Sequence, residues 1–286
     1  MLYRNFATQE ELDAQYNLRM LFPDAASHYE AFCTRESEKV REDLDHHLDV
    51  PFGPTLAEHV DLYPAGEGAP ILIYVHGGFW ALRTSREFGF VARGPVSESV
   101  ATVVTNYALC PTVTIDEVVR QTRAAVAWVY HNAHSFGGDP ERIHVAGHSA
   151  GGHLVAMLLA TDWEGTYGLP KDTVKGATVI SGLFDLAPFP YTFLQPKLQL
   201  TWDEVRRNSP ILHLPATAPP LLVAYGEDET DEFKRQSEAF LGAWNAKGHP
   251  GERLVLPGKN HYDVTDGFLE AGSPLLSGIF DRMGLE

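Results

Sequence analysis

The chain alternates between two hydrophobic rhythms. Short apolar runs at residues 71–75, 101–105, 143–146, 178–180, 221–224 and 253–256 read as strands buried on both faces. Residues 58–63 alternate polar and apolar like a half-buried strand. Between the runs, Ile115, Val118, Val119, Thr122, Val126 and Val129 fall at helical spacing, as do Phe233, Phe240, Leu241 and Trp244. A helix predicted from Ala150 to about Thr161 follows its strand after almost no loop. Strands alternating with helices require a mostly parallel sheet covered on both sides. The pattern predicts an α/β protein, a three-layer αβα sandwich with a small helical cap.

Two regions break the rhythm. The first fifty residues read as polar helices: Thr8 and Glu11 fit a capping box, and a second amphipathic stretch runs from about Ser27 to Leu48 before Pro51-Phe52-Gly53-Pro54 ends it. Residues 182–219 carry Pro188, Pro190 and Pro196 among Phe184, Phe189, Tyr191, Phe193 and Trp202. An aromatic insert after a strand, at the carboxyl edge of a parallel sheet, suits a lid or pocket wall; a helical connection packed on the core is the other reading. With no internal repeat, residues 1–286 read as one domain, with segments 1–50 and 182–219 as its cap.

Charge narrows the function classes. Against 38 acidic side chains stand 22 basic ones, a net charge of −16, and no Lys/Arg cluster compensates. That balance opposes nucleic-acid binding. No apolar run approaches the ~20 residues needed to span a bilayer, so no membrane partner is expected. The first residues lack the apolar core of a signal peptide. Two cysteines, Cys33 and Cys110, make no disulfide framework and point to a reducing cytoplasm.

The chemistry concentrates in a few places. Gly147-His148-Ser149-Ala150-Gly151-Gly152 matches G-x-S-x-G between a buried strand and a helix, the context in which a sharp turn presents a serine nucleophile. His76-Gly77-Gly78-Phe79-Trp80 follows the 71–75 strand. The N–H groups of Gly77 and Gly78, with that of Ala150, could hold the oxyanion of a tetrahedral intermediate. His76 reads as a loop-holding residue. A serine needs a base and the base an orienting carboxylate. Tyr225-Gly226-Glu227-Asp228-Glu229-Thr230-Asp231-Glu232 follows a late strand; Glu229 is the preferred acid and Asp228 the second candidate. Asp231 and Glu232 suit the first turn of the next helix. His261, just after the last strand, is the base, while His148 should point away from the serine and His153 should lie buried against the sheet or near the pocket wall. The His46-His47 pair, expected on a helix, would diverge and hold no metal. No metal motif or phosphate-binding loop occurs, so no cofactor is expected.

With these residues in view, the chain resembles the α/β-hydrolase superfamily, in the kynurenine formamidase (arylformamidase) and carboxylesterase branch related to hormone-sensitive lipase. The resemblance rests on the His76–Trp80 loop, Gly147-His148-Ser149-Ala150-Gly151-Gly152-His153-Leu154 and Glu232-Phe233-Lys234-Arg235-Gln236-Ser237, and extends from about Val60 to the end. Asp13-Ala14-Gln15-Tyr16-Asn17 is similar to the N-terminal region of bacterial members. The resemblance implies a triad of Ser149, Glu229 and His261 with oxyanion donors at Gly77, Gly78 and Ala150. It departs at Phe79, where the family commonly has Tyr, and at Glu229, where the acid is often Asp. The expected protein is a serine hydrolase cleaving a small ester or aryl amide, with Phe79, Trp80 and Phe193 walling the substrate pocket. A non-catalytic ligand-binding protein on the same scaffold and an acyltransferase are the alternatives. A homodimer is compatible with the polar N-terminal helices.

Overall fold

The apolar runs become strands with both faces covered. The computed structural model describes residues 1–285. Its strands are β1 (His47–Pro51), β2 (His59–Tyr63), β3 (Ala69–Val75), β4 (Ala101–Thr105), β5 (Gly138–His148), β6 (Gly176–Ile180), β7 (Leu221–Gly226) and β8 (Gly251–Leu256). They form one sheet in the order β1-β2-β4-β3-β5-β6-β7-β8. β2 runs antiparallel to both β1 and β4, and every other pair is parallel.

All seven residues of β3 are buried, and alternation divides them between two cores. Ile71, Ile73 and Val75 face one cluster, with the apolar sides of α3 (Ile115–Asn132), α4 (Ala150–Leu159) and α5 (Asp231–Ala246). Leu72 and Tyr74 face the other, with α2 (Pro23–Asp43) and α6 (Pro274–Met283). The outcome is the three-layer αβα sandwich expected, and its strand order and central helix are those of an α/β-hydrolase. The preceding helix α1 (Gln9–Tyr16) carries the Thr8–Glu11 capping box.

Three expectations are corrected. Helix α2 ends at Asp43, so His46 lies beyond it and His47 opens β1; the pair is not helical. Pro23, with φ preset for a first turn, starts that helix four residues before Ser27. Asp139-Pro140, a pair whose sequence alone signals a turn before the 143–146 strand, lies within β5. There the register with β3 slips from Ala69↔Gly138 to Ile71↔Ile143, and the excess residues bulge outward.

The insert packs on the core rather than standing apart, with Phe184 and Phe189 fully buried. Its segment from Phe193 to Lys197 turns the other way, toward the cavity described below.

Helix α4 passes so close to β3 that a Cβ on Gly151 would lie 1.9 Å from the Val75 carbonyl oxygen. No neighbouring side chain can yield there, because the obstacle is backbone. We expect Gly151→Ala to destabilise the chain by at least about 3 kcal/mol, lowering the thermal midpoint by roughly 6–12 °C. A midpoint within 2 °C of wild type in a circular-dichroism melt would contradict this packing.

Four histidines are buried in the sheet region. Burial lowers His76, His144 and His153 to about 4, and pushes His148 well below the ordinary range. His153 shows what protonation disrupts: its Nδ1 accepts from Trp80 Nε1 at 3.0 Å while Nε2–H donates to the Asn208 carbonyl at 2.7 Å. An unfolded histidine binds its proton near pH 6.5, so the unfolded chain holds more protons than the folded one between pH 6.5 and 4. Stability contributed by these groups is complete above pH 6.5 and is lost as pH falls toward 4. A urea midpoint that stays flat across this window would refute the assignment.

Candidate active site

β5 ends at His148 and α4 begins at Ala150, so Ser149 alone makes the turn. Its φ of 57° and ψ of −121° place an L residue in a sparsely populated region, a conformation that costs about 1–3 kcal/mol unless its surroundings enforce it. Two backbone bonds hold it: Ser149 N–H donates to the Ile180 carbonyl at 2.8 Å, and His153 N–H to the Ser149 carbonyl at 3.1 Å.

His261 lies in the loop after β8. His261 and Glu229 have side chains only 4% and 0% exposed, and His261 Nδ1–H donates to Glu229 Oε2 at 2.9 Å. Glu229 sits three residues past the end of β7. Its Oε1 accepts from Gly226 N–H at 2.9 Å and from the Ser181 hydroxyl, which leaves Oε2 for the histidine. Asp228, the second acid considered from the sequence, is exposed. Ser181, at the end of β6, carries no motif that the sequence could have flagged.

The loop after β3 closes over the serine. A Cβ on Gly77 would lie 3.0 Å from Ser149 Cβ. Gly78, at φ 116°, accepts from Ala81 and Leu82 N–H at 3.0 and 2.9 Å, so the loop folds back on itself. The N–H groups of Gly77, Gly78 and Ala150 have no acceptor among the described residues. His76 holds the loop as expected: its Nδ1–H donates to the Gly77 carbonyl at 2.8 Å, and its ring stacks 4.2 Å from Tyr107.

Ser149, His261, Gly77 and Gly78 open onto a cavity of about 410 Å³. Phe79 and Phe193 line it, their rings meeting edge to face at 6.4 Å. Trp80 does not. Successive left-handed residues, Phe79 at φ 49° and Trp80 at φ 56°, turn its indole into the core, where it is wholly buried against His153. His148 also differs from expectation: its ring lies 4.6 Å from that of His261 and borders the cavity.

The far wall comes from the N-terminal helices, which the sequence pattern marked only as a polar cap. Tyr16, Leu18, Arg19, Tyr29 and Glu30 all border the cavity. Buried Tyr16 donates to Glu232 Oε2 and accepts from Gln236 Nε2, both at 3.0 Å. Thr230, the neighbour of Glu229, donates its hydroxyl to the Gln15 carbonyl at 2.8 Å, and Phe193 N–H donates to Asp13 Oδ1 at 2.8 Å. Glu232 lies in the first turn of α5, as expected, and is also buried between Tyr16 and Arg235. Across the mouth, Arg83 pairs with Glu30 at 3.2 Å and with Glu87 at 2.7 Å.

Comparison with known proteins agrees with this architecture. The BD-FAE family model matches residues 60–243. The chain is 31% identical to a kynurenine formamidase of Danio rerio over 97% of both sequences. It is also 31% identical to esterase LipQ of Mycobacterium tuberculosis, over 70% of this chain and 53% of that protein. A solved chain from Silicibacter sp. TM1040, provisionally assigned as a thioesterase, superposes with a TM-score of 0.82 at 28% identity, covering 93% of this chain and 98% of that one. A Pyrobaculum calidifontis esterase, at 21% identity and a TM-score of 0.72 over 93% and 96% of the two chains, shares the fold. The chain belongs to the BD-FAE family, in the kynurenine formamidase and carboxylesterase branch of the α/β-hydrolases, and is a serine hydrolase of the esterase and arylformamidase type.

Proposed function

We propose that the chain cleaves a small carboxylic ester or aryl formamide through an acyl-enzyme on Ser149. The observation that carries this reading is the His261–Glu229 hydrogen bond together with a serine held at positive φ, with Ser149 and His261 lining one cavity. Ser149 Oγ attacks the carbonyl carbon while His261 Nε2 takes its proton. Glu229 fixes the tautomer with the proton on Nδ1 and stabilises the imidazolium that forms. The N–H groups of Gly77, Gly78 and Ala150 receive the oxyanion. The imidazolium returns its proton to the leaving alcohol or amine, and water activated by the same histidine releases the acid. A formamide thus yields formate and an amine.

The cavity, within the ~300–1,000 Å³ usual for ligand sites, suits a substrate with one aromatic ring against Phe79 and Phe193. The close homology to kynurenine formamidases over nearly the whole chain supports the formamide arm. Buried, unpaired Cys33 and Cys110 fit a reducing cytoplasmic setting.

Ser149→Ala should lower the hydrolysis rate of an activated aryl acetate by about 10⁴-fold or more with the fold unchanged. Glu229→Gln should lower it by roughly 10²–10⁴-fold, and Asp228→Asn should leave it within about threefold. Wild-type turnover in the serine variant, or collapse in the Asp228 variant alone, would overturn the assignment. Phe193→Ala should raise KM for aryl substrates about tenfold with kcat nearly constant, as expected for a contact equal in ground and transition states. Steady-state kinetics on matched aryl and alkyl esters would reveal a wrong assignment as a fall in kcat, or as an equal effect on both classes.

A further inference from the structure

At the sheet edge formed by β1 and β2, outside the cavity lining, three side chains converge. One ligand atom each from Asp49, His59 and Asp61 lies within 4.8 Å of the other two. We propose that these residues bind a divalent transition-metal cation of the zinc type.

Three observations point the same way. Asp61 is wholly buried; its Oδ1 accepts the Asp49 N–H at 2.9 Å, but its Oδ2 has no partner at all. A buried carboxylate oxygen left bare costs free energy that a cation would recover. His59 Nδ1–H donates to the Leu56 carbonyl at 2.9 Å, so the lone pair is on Nε2, the arrangement a metal-ligating imidazole needs. Nε2 lies 3.3 Å from Asp49 Oδ1. Ligands bonded at 2.0–2.1 Å to a tetrahedral zinc ion stand about 3.3–3.4 Å apart, so this pair already has the required spacing.

The backbone brings Asp49 there by an irregular route. The β1–β2 register slips between His47 and Val50, and Asp49 takes a positive φ of 55° within the slip. Its other oxygen is held by Arg86, which orients the carboxylate from outside. The Ser85 hydroxyl lies 3.4 Å from His59 Nε2. Two carboxylates and an imidazole suit zinc or manganese better than calcium, which prefers six to eight oxygens. Asp49 is 46% exposed, so the fourth position opens to water. The ion would clip β1 to β2 and leave Ser149 chemistry untouched.

The test is calorimetric titration of Zn²⁺ into chelator-stripped full chain. We expect one equivalent bound and a higher thermal midpoint in its presence. Asp61→Asn, isosteric, and His59→Gln should each weaken binding about a hundredfold or more and remove the thermal shift, with aryl-ester turnover preserved. A His46→Ala/His47→Ala double variant should bind as wild type. Absence of binding by the wild type, or wild-type binding by both ligand variants, overturns the site. Should Asp61→Asn fail to fold, His59→Gln, altering a partly exposed side chain, decides alone. An alternative in which His59 is simply protonated against Asp49 predicts no zinc-dependent thermal shift.

Discussion

Contact between Gly151 and the end of β3 sets the geometry on which the site depends. With a hydrogen atom as its side chain, α4 can start directly over the sheet, and the chain can reverse in a single residue at Ser149. The strained φ of that serine is then enforced from both sides, by β6 through Ile180 and by α4 through His153. The loop bearing Gly77 and Gly78 leaves β3 at the same place and faces the serine as a consequence. Fixing one close approach therefore places Ser149 and the Gly77 and Gly78 amides together.

The remaining two groups arrive from strands further along the sheet. Glu229 follows β7 and His261 follows β8, and Glu229 divides its two oxygens so that one anchors it to the sheet and the other meets the imidazole. This division holds a glutamate in place at a position where the resemblance more often implies an aspartate. Its longer chain is pinned by Gly226 and Ser181 instead of roaming the turn. Tyr16, Gln15 and Glu232 then brace the flanking residues from the N-terminal side.

The sequence made the central elements legible because burial on two faces leaves long apolar runs, and because the motif glycines answer backbone demands that only glycine meets. Ser149 and the Gly77-Gly78 pair stand out as candidates in that way, and His261 by its place after the last strand. Glu229 was harder, since five carboxylates crowd one turn and only the hydrogen bonds at its end separate them. Residues 9–30 could be read only as a cap, not as a wall of the cavity. Their contacts are to partners about two hundred positions away, and a polar helix that caps a cavity has the same periodicity as one that faces water. Trp80 was misread for a related reason: adjacent residues in a left-handed turn diverge, and no pattern announces a positive φ at an aromatic residue.

Those long spans carry a consequence for how the chain acquires its shape. Tyr16 bonds to a residue 216 positions later, and Asp13 to one 180 positions later. During synthesis these helices emerge well before β7 and α5, the elements on which they rest. Leu12, Tyr16 and Leu18, all buried in the finished protein, must wait in water through most of translation. This side of the cavity wall is thus made well before the elements it docks against, and a ribosome-bound fragment ending before β7 would carry the serine turn without an enclosed pocket.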